Sequence, residues 1–173
     1  MKSVSKAAAA AAIGLLTIWP AWGEEPSLDL VRMIACEVPA ETYNAFALWL
    51  VGEPGAVESL GWTDVEQANP MLRQFRLPAP IEVFGHATQD VVFSATGPMA
   101  LIAGGDPRVL AQSLGATAVV DTPDKFLAEK LVLEDTDEED GITFATRVAL
   151  NVSTVDTHPG AVLAGCSYLI EVR

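Results

Sequence analysis

Two runs of strict alternation fill the last third of this chain. Ile142, Phe144, Thr146, Val148, Leu150 and Val152 alternate with Thr143, Ala145, Arg147, Ala149, Asn151 and Ser153. Val162, Ala164, Cys166, Tyr168, Ile170 and Val172 repeat the period. A period of two sends one set of side chains to each face of an extended strand, whereas a helix would scatter both sets around its axis. Each run is therefore a long half-buried strand. Lys130–Glu134 reads as a third, paired across an acidic turn, Asp135–Gly141. Such a meander needs a cover for its apolar face.

Upstream lie three shorter strand candidates, Ile81–Gly85, Asp90–Ala95 and Met99–Ala103. The gaps between them are too short for a parallel crossover, so they predict an antiparallel meander. Helical spacing appears at Tyr43, Phe46, Ala47 and Leu50 within Glu41–Val51, and Glu53-Pro54-Gly55 stops it. Asp106 and Pro107 open another helix, which Gly115 ends. Thr63-Asp64-Val65-Glu66 has the capping-box pattern and predicts a short helix before Asn69-Pro70. Leu28–Cys36 reads as a first strand, although Arg32 spoils its apolar face. Pro78-Ala79-Pro80 reads as a rigid connector, Ala116–Val120 as a short strand, and Thr122-Pro123-Asp124 as a helical turn. The expectation is a single α+β domain over residues 24–173. It combines antiparallel β-meanders, the C-terminal one long-stranded, with two to three short helices.

Residues 1–23 read as an address. Lys2 and Lys6 precede the uncharged apolar run Ala7–Ile18; Pro20 breaks it, and Ala21 and Gly23 place small residues at −3 and −1 before Glu24. That is the pattern of a cleavable secretory signal. The run Ala7–Trp22 is shorter than the roughly 18–20 residues a spanning helix needs. No stable membrane anchoring is expected after cleavage, and the expected location is periplasmic or secreted.

The 173 residues carry 10 Lys+Arg against 23 Asp+Glu, a net charge of −13. Loss of Lys2 and Lys6 with the signal takes this to −15. No Lys/Arg stripe exists to neutralise phosphates, so a nucleic-acid partner is excluded. A half-hydrophobic composition excludes a disordered chain. Such a surface keeps an exported protein soluble and favours basic partners. Cys36 and Cys166 are the two cysteines, and in an oxidising compartment an even pair closes. The alternative is two buried free thiols. Pairing would close a loop of about 130 residues, worth roughly 4–5 kcal/mol by loop entropy.

Four constellations offer chemistry. The acidic run around Asp135, Asp137 and Glu139 has the alternating carboxylates of a Ca²⁺ loop. Counted from Asp135, however, the sixth place is Asp140 rather than glycine, and the twelfth is Thr146 rather than glutamate. A solvated hairpin tip is the competing reading. Asp156 and His158 form a base-and-orienter pair, with Ser153 or Ser167 as a nucleophile, or else ordinary turn residues before Pro159-Gly160. Glu82 and His86 share a strand face by parity, with Asp90 just beyond. With Asp156 and His158 they would make a metal site only if the fold gathered them. Arg73, Phe75 and Arg76 form an Arg–aromatic recognition segment, or else a strand whose arginines pair with local carboxylates.

No cofactor is expected. The function expected is that of an exported, non-catalytic binding module recognising a protein or envelope component, such as an inhibitor, an immunity protein or an assembly accessory. The alternatives are a small periplasmic hydrolase using Asp156/His158, and divalent-cation binding through the Asp135–Asp140 turn. Sequencing the exported protein should find an N-terminus at Glu24 or within about three residues of it. An intact Met1 on the exported form would contradict the signal.

Overall fold

The computed structural model describes residues 29–173, so the expected signal and its cut lie outside the described residues. In chain order the elements are α1 (Leu30–Ile34), α2 (Ala40–Gly52), α3 (Ala56–Ser59), β1 (Thr63–Val65), β2 (Arg73–Val83), β3 (His86–Phe93), β4 (Pro98–Ala103), α4 (Pro107–Leu114), β5 (Thr117–Asp121), β6 (Phe126–Glu139), β7 (Ile142–Ser153) and β8 (Ala161–Val172). The eight strands form one antiparallel sheet in the order β1-β2-β3-β4-β8-β7-β6-β5. The chain builds inward from one edge through β4, then inward from the other edge through β8. The two expected meanders are thus halves of one sheet, joined where β4 pairs with β8. The protein is mostly β with a few short helices, so α+β describes it only loosely.

The apolar set of the last two strands faces α1 and α2. Val148, Leu150, Val152, Val162, Ala164, Cys166 and Tyr168 share a buried cluster with Leu30, Met33 and Ile34 of α1 and Tyr43, Phe46 and Leu50 of α2. Phe46, Trp62, Phe75 and Phe93 pack ring to ring, 5.4–6.3 Å between centroids, where the N-terminal strands meet α2. Tyr168 stacks on Tyr43 at 4.7 Å and donates its hydroxyl to the Met33 carbonyl at 2.7 Å. Burial pushes the Tyr43 hydroxyl up to about 12 and that of Tyr168 higher still, so both stay neutral at ordinary pH. Cys36 and Cys166 form the expected disulfide, with Cα atoms 5.2 Å apart.

Four local expectations change. The described part of the expected strand Leu28–Cys36, from Asp29 on, is helical. Leu30, Met33 and Ile34 fall at i, i+3 and i+4, and Asp29 caps them by accepting the Arg32 N–H at 3.1 Å, so the disulfide joins a helix-end turn to β8. Thr63–Val65 is strand β1 on the edge of β2 rather than a helix. Six residues before Asn69-Pro70 cannot sustain a costly helix nucleus, while β2 offers a ladder. The acidic segment is not a turn. β6 runs to Glu139, and the turn is only Asp140-Gly141, both with positive φ as a two-residue hairpin requires. Thr122-Pro123-Asp124 is no helical turn, because the Thr122 N–H and hydroxyl close a tight loop with Lys125 between β5 and β6. The Pro78–Pro80 stretch is extended as expected. It lies inside β2, where the β2–β3 register shifts between Arg76 and Ile81.

The seam between the two halves leaves no room for side chains at two positions. A Cβ on Gly97 would lie 1.8 Å from the Cys166 carbonyl oxygen, and one on Gly165 would lie 2.2 Å from that of Pro98. Gly165→Ala should therefore destabilise the protein by about 1–3 kcal/mol or more in denaturant unfolding. A change below about 0.5 kcal/mol would show that the seam parts freely.

Candidate functional site: a cleft and a projecting ribbon

The β7–β8 loop carries Asp156 and His158 along a cleft of about 500 Å³ beside the start of α4. The hydrogen bonds orient the imidazole. Gln74 Nε2 donates to Asp90 Oδ1 at 3.1 Å, and a carboxylate only accepts, so Gln74 Oε1 is the atom facing His158. That oxygen is 3.0 Å from His158 Nε2 and also accepts from Gln67, so Nε2 carries the proton. Nδ1 lies 3.1 Å from the Thr157 hydroxyl, a group that can donate or accept. Nε2 thus ties the loop to Gln74 of β2, while Nδ1 meets only its own neighbour in the loop. Asp156 is exposed and makes no hydrogen bond to His158 among the described residues. Ser167 is bonded to Asn151 and to the Ala149 carbonyl, and neither Ser167 nor Ser153 lines the cleft. Base, orienting carboxylate and nucleophile are not assembled here.

Glu82 and His86 do not share a face. Phe84-Gly85 is a two-residue hairpin turn that pairs His86 with Val83 and Ala87 with Glu82, and this reverses the parity a continuous strand would have. Among the described residues no three His, Cys, Asp or Glu side chains converge as metal ligands. Strand geometry spreads Asp135, Asp137 and Glu139 along β6 at roughly 7 Å intervals instead of wrapping them around a point.

Phe75 is fully buried in the aromatic cluster, so it is a core residue and not an exposed anchor. Arg73 holds Asp64 through two bonds of 3.0 Å, with its guanidinium 4.7 Å from the Phe75 ring centroid. Arg76 holds Asp90 at 3.2 and 3.1 Å. Of the two readings of this segment, the geometry is that of a strand with locally paired arginines.

The feature that sequence reasoning missed is a ribbon. β4 accompanies β8 only to Gly165, and β5 accompanies β6 only to Glu129. Past those points β6, β7 and β8 continue together, paired among the described residues only with one another. Val148 and Tyr168 are the last buried pair on the face that α1 and α2 cover. The same face continues outward as Thr146 and Ile170, Phe144 and Val172, then Ile142, with Ile142 44% and Val172 68% exposed. By register, Asp135, Asp137 and Glu139 form its outer row. Glu134 lies across the ladder from Arg147, but none of the carboxylates at Asp135, Asp137, Glu138, Glu139 and Asp140 makes an ion pair among the described residues. The nearby arginines are taken, Arg147 by Glu129 and Arg173 by Glu171. The alternation from Ile142 to Val152 signals the strand but carries no mark of where its helical cover ends.

Compared with protein families, curated proteins and solved structures, the chain matches none.

Proposed function

We propose that this is an exported, non-catalytic binding protein of the periplasm or cell exterior, and that its β6–β7–β8 ribbon docks a basic protein of the envelope. One observation carries the reading: an uncovered apolar strip, Ile142, Phe144, Ile170 and Val172, bordered by a row of unpaired carboxylates. Apolar side chains on both β7 and β8 gain nothing from water, and a contiguous exposed patch rimmed by charge is the usual form of an interaction surface. The carboxylates add little to folding, since like charges on an exposed strand repel. They do accelerate encounter with a cationic surface and reject anionic ones. The disulfide points to an oxidising compartment, and no described helix is long and apolar enough to cross a membrane. An inhibitor, an immunity protein or an assembly accessory would each use such a surface. The Asp156/His158 cleft lacks a placed nucleophile, and the acidic strand lacks convergence, so the hydrolase and cation readings have less support.

Capture from envelope extract tests this, comparing the wild-type chain with Asp135→Asn/Asp137→Asn/Glu139→Gln and with Ile142→Ser/Val172→Ser. The charge variant should keep its stability within about 0.5 kcal/mol. It should also slow association about tenfold or more, as should added salt. The apolar variant should lose the captured protein through faster dissociation. A partner retained by both variants but lost with His158→Ala would move the site to the cleft and contradict the proposal.

A further inference from the structure

The ribbon's partner can be specified further, on the assumption that the ribbon is the docking element. We infer that a basic, extended segment of the partner adds to the outer edge of β6 as a ninth strand.

The edge itself carries this inference; the charges decide only what can occupy it. From Lys130 to Glu139 the inner side of β6 is laddered to β7, while the outer side has no strand among the described residues, because β5 ends its pairing at Glu129. A register shift between Leu131 and Leu133 marks a bulge, which separates the short stretch under β5 from a regular open edge over Leu133–Glu139. The outward amides in that stretch are identifiable. The N–H of Thr136 bonds to Asp135 Oδ1 and that of Glu138 to Asp137 Oδ1, each at 2.8 Å. Along an antiparallel strand, outward groups recur at every second residue, so Glu134, Thr136 and Glu138 present the free side of the ladder. The aspartates therefore lie over the donors that an added strand would use.

This arrangement discriminates among strands. A neutral strand would have to displace both carboxylates and leave them crowded and unpaired beside it, which is how edge charges normally block association. A strand bearing Lys or Arg takes the N–H groups with its carbonyls and the released carboxylates with its cations, in the cross-strand positions where opposite charges stabilise a sheet. A second copy pairing β6 to β6 is excluded, because it would oppose carboxylate to carboxylate in a protein already at −13. The opposite edge is a poorer template. Beyond the Tyr168 N–H, which bonds to the Thr96 carbonyl, β8 offers outward groups only at Ile170 and Val172.

The test uses the whole exported chain and three blocked nine-residue peptides. One alternates Lys and Val, one has Gln in place of Lys, and one is the Lys–Val peptide N-methylated at alternate residues. The Lys–Val peptide should bind and should slow amide exchange at Thr136 and Glu138 about tenfold or more, and the Gln peptide should do neither. N-methylation removes strand pairing but keeps the charge, so it should weaken binding about tenfold or more, as should Asp135→Asn/Asp137→Asn. Equal affinity of the methylated peptide, or binding without protection at Thr136 and Glu138, would overturn strand addition while leaving a basic partner on the ribbon face intact. Failure of the Lys–Val peptide to bind would also overturn it. Insensitivity of envelope capture to the ribbon variants would instead remove the reading on which it rests.

Discussion

Tyr168 is the residue at which the covered sheet ends, and much of the architecture depends on what holds it. Its ring stacks on Tyr43 of α2, its hydroxyl bonds to the carbonyl of Met33 in α1, and its N–H bonds to Thr96 in the β3–β4 turn. Two residues earlier Cys166 is tied to Cys36 just past α1. Helix α1 has five residues, too few to persist alone. It is ordered because β8 gives it a covalent link, a buried hydrogen bond worth about 1 kcal/mol and an apolar surface. The link spans 130 residues of sequence, so its loop-entropy contribution is of the order of 4–5 kcal/mol. Since β8 is also the strand through which the two halves of the sheet meet, the same few contacts fix both the cap and the seam.

Beyond Tyr168 the same strands lose their cover without losing their pattern. Ile170 and Val172 continue the parity of Cys166 and Tyr168, and Phe144 and Ile142 continue that of Val148. A chain under selection for stability alone would place polar residues there. Instead the apolar side chains persist into solvent, and the carboxylates gather on the strand beside them. In the proposed docking mode those charges exclude neutral strands and the β6 edge of a second copy from the exposed edge and admit a cation-bearing one.

Much of the sheet was legible in the sequence because period-two alternation and tight spacing are local signals. β7, β8, β4, helix α2, and α4 with its Asp106 and Gly115 caps appear where pattern placed them; the first turn of the central meander lies at Phe84-Gly85 rather than after Gly85, and β6 is much longer than Lys130–Glu134. The misses have specific causes. In Leu30–Ile34 a short apolar run satisfied both periods, and packing against β8, β2 and β4 decides for helix. In Thr63–Glu66 a capping pattern lost to a neighbouring edge that no local signal reveals. At Glu82 and His86 a two-residue turn inverted parity. Phe75 looked like an anchor because alternation with arginine hides which face is inward. The candidate site was the least legible part, because exposure of Ile142–Val172 depends on where α1 and α2 stop, and that is a tertiary fact.

The central claim, that the covered sheet ends at Tyr168 and a bare ribbon continues beyond it, is most directly tested by residue-resolved amide exchange along β8. The account predicts slow exchange at Tyr168 and at Leu169 and Glu171, which face β7, but fast exchange at Ile170 and Val172, which face the open edge. Exchange at Ile170 and Val172 as slow as at Tyr168 would show that the edge is covered, and would contradict the account.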